Sequence, residues 1–297
     1  MKYLRRKLKQ KRIWKRIFVE RLTEPLHLNI ISLFFWLFGS YRKKIAYDLI
    51  VRPQHAFSIL KIADQALKHN IKIVTLLEFG VANGAGLMNI AEIARKITKI
   101  TGVEFKIYGF DTGYGMPKPT SYKDHPEYYL EGDFKMDFDI LKNNLPENVS
   151  LILGKVEDTL PEFQTNLKSS EPIGFISFDL DYYSSTKTAL KILEIDPQFF
   201  TPLPYIYFDD IILPNHNNYC GELLAIQEFN NENRYRKIEY HRFLENERIF
   251  RKARWIKQIF YFHILDHEIR NNLSPKALKN SILNPYLKYN DNKETWR

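Results

Sequence analysis

Apolar positions change their spacing repeatedly along this chain. Short apolar or alternating runs occupy residues 71–79, 104–110, 149–153, 173–178 and 204–208. Between them, residues 86–100, 134–144, 156–168, 184–195 and 221–232 place apolar side chains three and four apart. The first pattern predicts strands and the second helices. Their alternation predicts an α/β fold with a mainly parallel, doubly wound sheet. Residues 235–241 and 256–264 are candidates for closing strands. Upstream, Ile45, Leu49, Phe57, Leu60, Ala63 and Leu67 share one helical face, with Pro53 marking a kink or a restart. The chain thus divides into an N-terminal helical extension (1–44), one α/β domain (45–267) and a polar, Asn- and Lys-rich tail (268–297). No internal repeat is visible.

Glu78-Phe79-Gly80-Val81-Ala82-Asn83-Gly84-Ala85-Gly86 joins the first strand to a helix whose apolar positions are Leu87, Ile90, Ala91, Ala94 and Ile97. Glycines there let backbone approach a ligand, and a helix start offers unpaired N–H groups. A dinucleotide loop reads G-x-G-x-x-G/A. Here Leu87, Met88 and Asn89 follow Gly86, so the third small residue is missing. The pattern E-x-G-x-x-x-G-x-G instead resembles motif I of the class I S-adenosylmethionine (SAM)-dependent methyltransferases. That resemblance implies that Glu78 helps hold the amino-acid end of SAM, with Gly80, Ala82, Asn83, Gly84 and Gly86 passing beneath it. The plainer alternatives are a structural turn or an NAD site.

Acids recur where ligands sit in such sheets, beyond the carboxyl ends of the strands. Glu78, Asp111, Asp179 with Asp181, and Asp209 with Asp210 each close a predicted strand. Asp111, followed by Thr112, can accept the hydroxyls of a ribose, or can merely form a turn before Gly113. Lys155 and Val156 stand where the third strand would deliver adenine contacts, or where an ordinary helix begins. The grouped acids after the fourth and fifth strands are costly to bury unless protons or a cation neutralise them. An all-oxygen set favours Mg²⁺; solvated loop acids are the competing reading.

Four motifs in order narrow the resemblance. Residues 108–117 (Tyr-Gly-Phe-Asp-Thr-Gly-Tyr-Gly-Met-Pro), 154–161, 178–190 and 208–210 resemble the macrocin O-methyltransferase (TylF-type) group. The likeness covers about residues 71–232. It implies a Rossmann-like class I methyltransferase fold and SAM- and Mg²⁺-dependent methylation of a hydroxyl on a sugar, glycan or glycosylated metabolite. The metal aspartates of that group map onto Asp181, Asp209 and Asp210, with Asp179 as a further member. Candidates for the base that deprotonates the acceptor are Asp179, Asp181, His125 and His216. His125 lies in the loop 112–133, a natural lid.

The formal net charge of +9 is localised. Residues 1–16 carry nine Lys/Arg and no acid, which leaves 35 basic and 35 acidic residues elsewhere. A nucleic-acid enzyme spreads such charge over its working face, so no nucleic-acid partner is expected. A basic arm followed by the apolar run 26–38 suits peripheral contact with an inner membrane surface from the cytoplasm. Thirteen residues span about 20 Å, short for a bilayer crossing. Packing on the core or across a homo-oligomer is the alternative for that run. With Cys220 the only cysteine, no intramolecular disulfide can form. Two other functions stay open: a non-catalytic membrane adaptor with a nucleotide fold, and an NAD-dependent oxidoreductase.

Overall fold

The computed structural model describes residues 17–213 and 216–270. The basic arm 1–16 and most of the polar tail lie outside them. Helices α1 (Leu26–Phe38), α2 (Tyr41–Ala46) and α3 (Pro53–Lys68) precede the sheet. Pro53 opens α3, where its missing N–H costs nothing, so it restarts a helix rather than bending one. The alternating part runs β1 (Ile73–Phe79), α4 (Ala85–Thr101), β2 (Glu104–Asp111), α5 (Phe138–Lys142), β3 (Val149–Leu153), α6 (Val156–Thr165), β4 (Ile173–Phe178), α7 (Tyr183–Ala189), β5 (Phe200–Phe208) and α8 (Gly221–Glu232). β6 (Arg236–Tyr240), α9 (Leu244–Glu247) and β7 (Ile259–Ile264) close the sheet.

The strand order is β3-β2-β1-β4-β5-β7-β6. β1 to β5 are parallel, and β7 enters antiparallel between β5 and β6. This is the Rossmann-like sheet of the class I methyltransferase fold. β1 and β4 are almost wholly buried, which is why they read as continuous apolar runs. One face packs on α3 and α4 through residues such as Ile59, Ile62, Leu87 and Ile90. The other packs on α6, the segment after α7, and α8 through Phe163, Leu190, Ile226 and Phe229.

Phe79, Phe110, Phe178 and Phe208 stand side by side at the ends of β1, β2, β4 and β5. Their rings stack at centroid distances of 4.6, 5.3 and 5.0 Å. The pleat sends alternate side chains to opposite faces. One apolar layer therefore seals the sheet directly below Asp111, Asp179 and Asp209, which follow on β2, β4 and β5.

Three predicted elements differ in extent. β5 starts four residues early, at Phe200, and its pairing with β4 is irregular near Pro202 and Pro204, which have no N–H to donate. The helix expected over 184–195 tightens to a 3₁₀ turn after Ala189. The one expected over 134–144 shrinks to five residues, capped by the Asp137 carboxylate on the Ile140 N–H.

Residues 17–48 are clasped to the far end of the chain. Arg248 donates to Asp48 at 2.6 Å and to the carbonyls of Ile45 and Ala46, and this ion pair is buried. Burial pushes the Asp48 carboxyl up despite the opposing pull of Arg248 and Arg21. Arg21 donates to the Tyr47 and Asp48 carbonyls and covers the Phe250 ring at 3.8 Å. α1 itself gains little from this: of its thirteen residues only Ser32 is buried. Against the described residues, only Leu28, Asn29, Ser32 and Phe35 of α1 turn toward the protein.

Candidate active site

A cleft of about 1340 Å³ opens at the carboxyl ends of β1, β2, β4 and β5. This is where the strand order reverses, between β1 and β4, and where ligands bind in open α/β sheets. Glu78, Gly80, Ala82, Asn83, Gly86, Asp111, Thr112, Lys155, Val156, Asp179, Asp181, Asp209 and Asp210 all line it. Gly84 and His125 do not.

The β1–α4 loop is held by close approaches. A Cβ on Gly80 would fall 1.8 Å from the Asp179 carbonyl oxygen. A Cβ on Gly86 would fall 2.0 Å from Glu78 Oε1, so this glycine makes the room in which Glu78 sits beneath the helix start. Gly84 begins α4 in the left-handed conformation and faces Leu141 instead of the cleft.

Asp111 organises the same loop. Its Oδ2 accepts the N–H groups of Val81 and Ala82 at 2.9 and 2.8 Å, and its Oδ1 accepts that of Gly113 at 2.7 Å. The carboxylate expected to face a ribose thus fixes the backbone at this end of the cleft. Oδ2 is saturated by its two donors, and Oδ1, with one, keeps a lone pair for a ligand.

The β4 and β5 ends are different. Asp179, Asp181 and Asp210 each turn one carboxylate oxygen inward, and these oxygens lie within 4.8 Å of one another. The Asp181 N–H donates to Asp210 Oδ2, and the Asp210 N–H donates to Glu222 Oε2, both at 3.1 Å. Burial pushes Asp179, Asp210, Glu222 and Glu78 well above the usual carboxylate range, and their mutual repulsion adds to it. Asp181 is raised for the same first reason, although a hydrogen bond from Tyr129 opposes the rise. Glu78 Oε2 and Glu222 Oε1 are buried without a hydrogen-bond partner.

The converging set departs from the sequence expectation of Asp181, Asp209 and Asp210. Asp209 lines the cleft, but its Oδ1 accepts the Tyr207 hydroxyl and lies 3.5 Å from Gln258 Nε2, which also donates to the Asp209 carbonyl. Asp179 takes its place.

His125 is corrected as a candidate base. It ends the turn Tyr122–Asp124 in the left-handed region and is buried. Its Nδ1 lies 3.1 Å from Glu127 Oε1, and its ring stacks on His216 at 4.5 Å. The ring packs against Gly221, and His125 is absent from the cleft lining. His216 follows it and is absent from the lining as well.

The lid is nevertheless anchored over the site. Asp124 accepts from the Thr120 N–H and hydroxyl and from the Ser184 N–H. Lys123 reaches Glu228 on α8 at 3.2 Å, beside Lys187 and the Tyr183 hydroxyl. From the lid, Tyr129 lines the cleft beside Asp181, and Tyr114 also lines it.

Sequence reasoning missed Arg52. It caps α3 at φ +53°, lines the cleft, and its charge lowers the proton affinity of both Glu78 and Asp179. Arg52, Ala82 and Asp181 are all non-glycine residues in the left-handed region at the cleft wall. Such strain persists where the surrounding fold enforces it and concentrates at functional sites.

The solved structure of the O-methyltransferase NovP overlaps 71% of this chain and 79% of its own, at 18% identity and a TM-score of 0.49. CalS11, a calicheamicin methyltransferase, overlaps 69% of this chain and 84% of its own, at 19% identity and a TM-score of 0.43. A structure of CmcI with Mg and SAM overlaps 68% and 70%, at 17% identity and a TM-score of 0.37. No family model and no curated protein matches the chain.

Proposed function

We propose that residues 45–267 form a SAM-dependent O-methyltransferase that uses Mg²⁺ and acts on a hydroxyl of a sugar, glycan or glycosylated metabolite. One observation carries this reading. A glycine-walled pocket without a pyrophosphate loop and an all-oxygen cluster of three carboxylates share one cleft. The metal fits the residues present: buried acids that repel one another need a cation, and oxygen donors within 4.8 Å suit a hard one.

When bound, SAM supplies an electrophilic methyl group, and Mg²⁺ lowers the pKa of a hydroxyl beside it. The chain supplies position. Gly80, Ala82 and Gly86 bring backbone against the cofactor, while Asp111 and Thr112 meet its ribose. Lys155 and Val156 border its adenine. Arg52 faces the cofactor's carboxylate, beside Glu78 for its ammonium. Asp179, Asp181 and Asp210 hold the cation. Asp179 and Asp181, which face the reacting atoms, are the groups that would accept the proton of the acceptor hydroxyl. Tyr129 keeps Asp181 turned inward, and the lid excludes water from the reacting atoms. Holding the hydroxyl in line behind the methyl supplies much of the rate gain.

The same reading gives the extension 1–44 a peripheral contact with the inner membrane surface. Among the described residues, no helix is long and apolar enough to cross a membrane.

Calorimetry with SAM and S-adenosylhomocysteine, with and without Mg²⁺ and with NAD as control, tests the proposal. Micromolar affinity for the SAM pair and none for NAD is expected. Folded protein that binds neither member of the pair would overturn it.

A further inference from the structure

α1 presents an apolar surface that is exposed among the described residues. Leu26, Ile30, Leu33, Phe34, Trp36, Leu37 and Phe38 are each 55–75% exposed. The helix contains no Asp, Glu, Lys or Arg. At about 100° per residue, the exposed side chains sweep an unbroken arc of roughly 160° from Leu33 round to Ile31, with Trp36 exposed beyond Asn29. A partner helix or a second copy buries a narrower stripe than that. An arc this wide suits a medium that wraps around the helix.

Charge frames the arc at both ends. Lys43 and Lys44 follow on α2. At the other end, Lys252 donates its N–H to Glu24 and its ammonium to the Thr23 carbonyl, just before α1 begins. Lys252 belongs to a second cleft, of about 630 Å³, whose rim also carries Arg251, Arg254 and Lys257. All four cations are exposed. They come from the folded C-terminal part of the chain, about 220 residues from the helix they flank. The nine cations of residues 1–16 add to the same end in sequence.

We infer that α1 and the Arg251–Lys257 cleft form one docking face for an anionic lipid bilayer, with α1 lying in the interface and the four cations on lipid phosphates. Apolar side chains enter the acyl boundary while nearby Lys and Arg meet the headgroups. Each cation near such a surface contributes about 1 kcal/mol. The face also borders the larger cleft. Ile211 and Ile212 line the basic cleft, while the adjoining Asp210 and Leu213 line the catalytic one. A bilayer held here stands beside the acceptor end of the site. The docking itself does not depend on methyl transfer.

Flotation of the full chain with phosphatidylcholine vesicles, with and without phosphatidylglycerol, tests this. Binding to anionic vesicles that weakens with salt is expected. Leu33→Glu with Phe34→Glu should abolish it. Arg251→Gln, Arg254→Gln and Lys257→Gln together should lower the partition coefficient at least about 10-fold. Thermal unfolding by circular dichroism checks that both variants fold. Quenching by brominated lipid that disappears in Trp36→Phe would place α1 in the interface. Equal binding to both vesicle types, or binding indifferent to both sets of substitutions, would overturn the inference. So would a dimer, seen by sedimentation, that Leu33→Glu with Phe34→Glu dissociates in a chain that binds no vesicles; the face would then belong to a second copy.

Discussion

At the β1–β2 end of the cleft, the Asp111 carboxylate receives three backbone N–H groups. At the β4–β5 end, Asp179, Asp181 and Asp210 face one another, and Glu222 stands behind them with one oxygen unpartnered. The same sheet edge thus holds one carboxylate that is satisfied and a group that is not. The satisfied end is ready before a ligand arrives. The other end stores repulsion that a cation relieves, so its order is conditional on what binds. On the proposed reading, a site divided in this way would bind SAM through a rigid wall and leave the chemistry to the half that pays for its charge in stability.

The largest expected break in that contrast is catalytic. Asp181→Asn and Asp210→Asn should each lower turnover about 10²–10³-fold, the scale of losing one preorganised electrostatic group. Affinity for S-adenosylhomocysteine should hold, because the β1–β2 wall is untouched. EDTA should mimic both variants, and full turnover in EDTA would remove the metal role. Next in size is Arg52→Ala, which removes a cation from the cofactor wall. SAM affinity should fall about 10–100-fold, the range of one charge-assisted hydrogen bond, with little change in turnover at saturation. Calorimetry and steady-state kinetics separate these outcomes.

Asp111→Ala should weaken the folded state, since the N–H groups of Val81, Ala82 and Gly113 lose their acceptor. The cost is about 1–3 kcal/mol, measurable in urea. At the opposite end the sign reverses. Asp210→Asn should stabilise the metal-free protein, because it removes a buried acid from a repelling cluster. The pH dependence follows from linkage. The folded pKa values of Asp179, Asp210 and Glu222 lie above their unfolded ones, so the folded state binds more protons over that interval. Stability therefore falls as pH rises through it. The metal-free melting temperature should climb as pH is lowered from neutral toward about 5, and Mg²⁺ should flatten the slope.

The smallest effect concerns the lid anchor. Lys187 and the Tyr183 hydroxyl, joined by Lys123, hold the Glu228 carboxyl down to about 2. Its contribution is present above the ordinary Glu value of 4.5 and is lost as pH falls toward 2. The anchor is half in solvent, and Glu228→Gln should only raise proteolysis of the lid modestly, with unchanged cofactor affinity.

The glycine loop and the strand-end acids were legible because both follow from local order. A buried parallel strand is a continuous apolar run, and the residue after it stands at the ligand edge. The choice between Asp179 and Asp209 was not legible. It depends on Tyr207 and on Gln258, some fifty residues away, which engage Oδ1 of Asp209. Arg52 was hidden for a related reason: a lone arginine before a proline announces nothing until a left-handed turn aims it at the cleft. His125 illustrates the opposite error. A histidine in a lid loop reads as a base, yet its ring serves as packing against His216 and Gly221.

The clasp between Asp48 and Arg248 joins residues 200 positions apart. A ribosome adding about 5–20 residues per second needs roughly 10–40 s to cover that distance. Throughout that interval α1 has left the ribosome while the residues that will fasten its base do not yet exist. On the docking inferred above, the helix could meet a lipid surface during synthesis, before the sheet assembles.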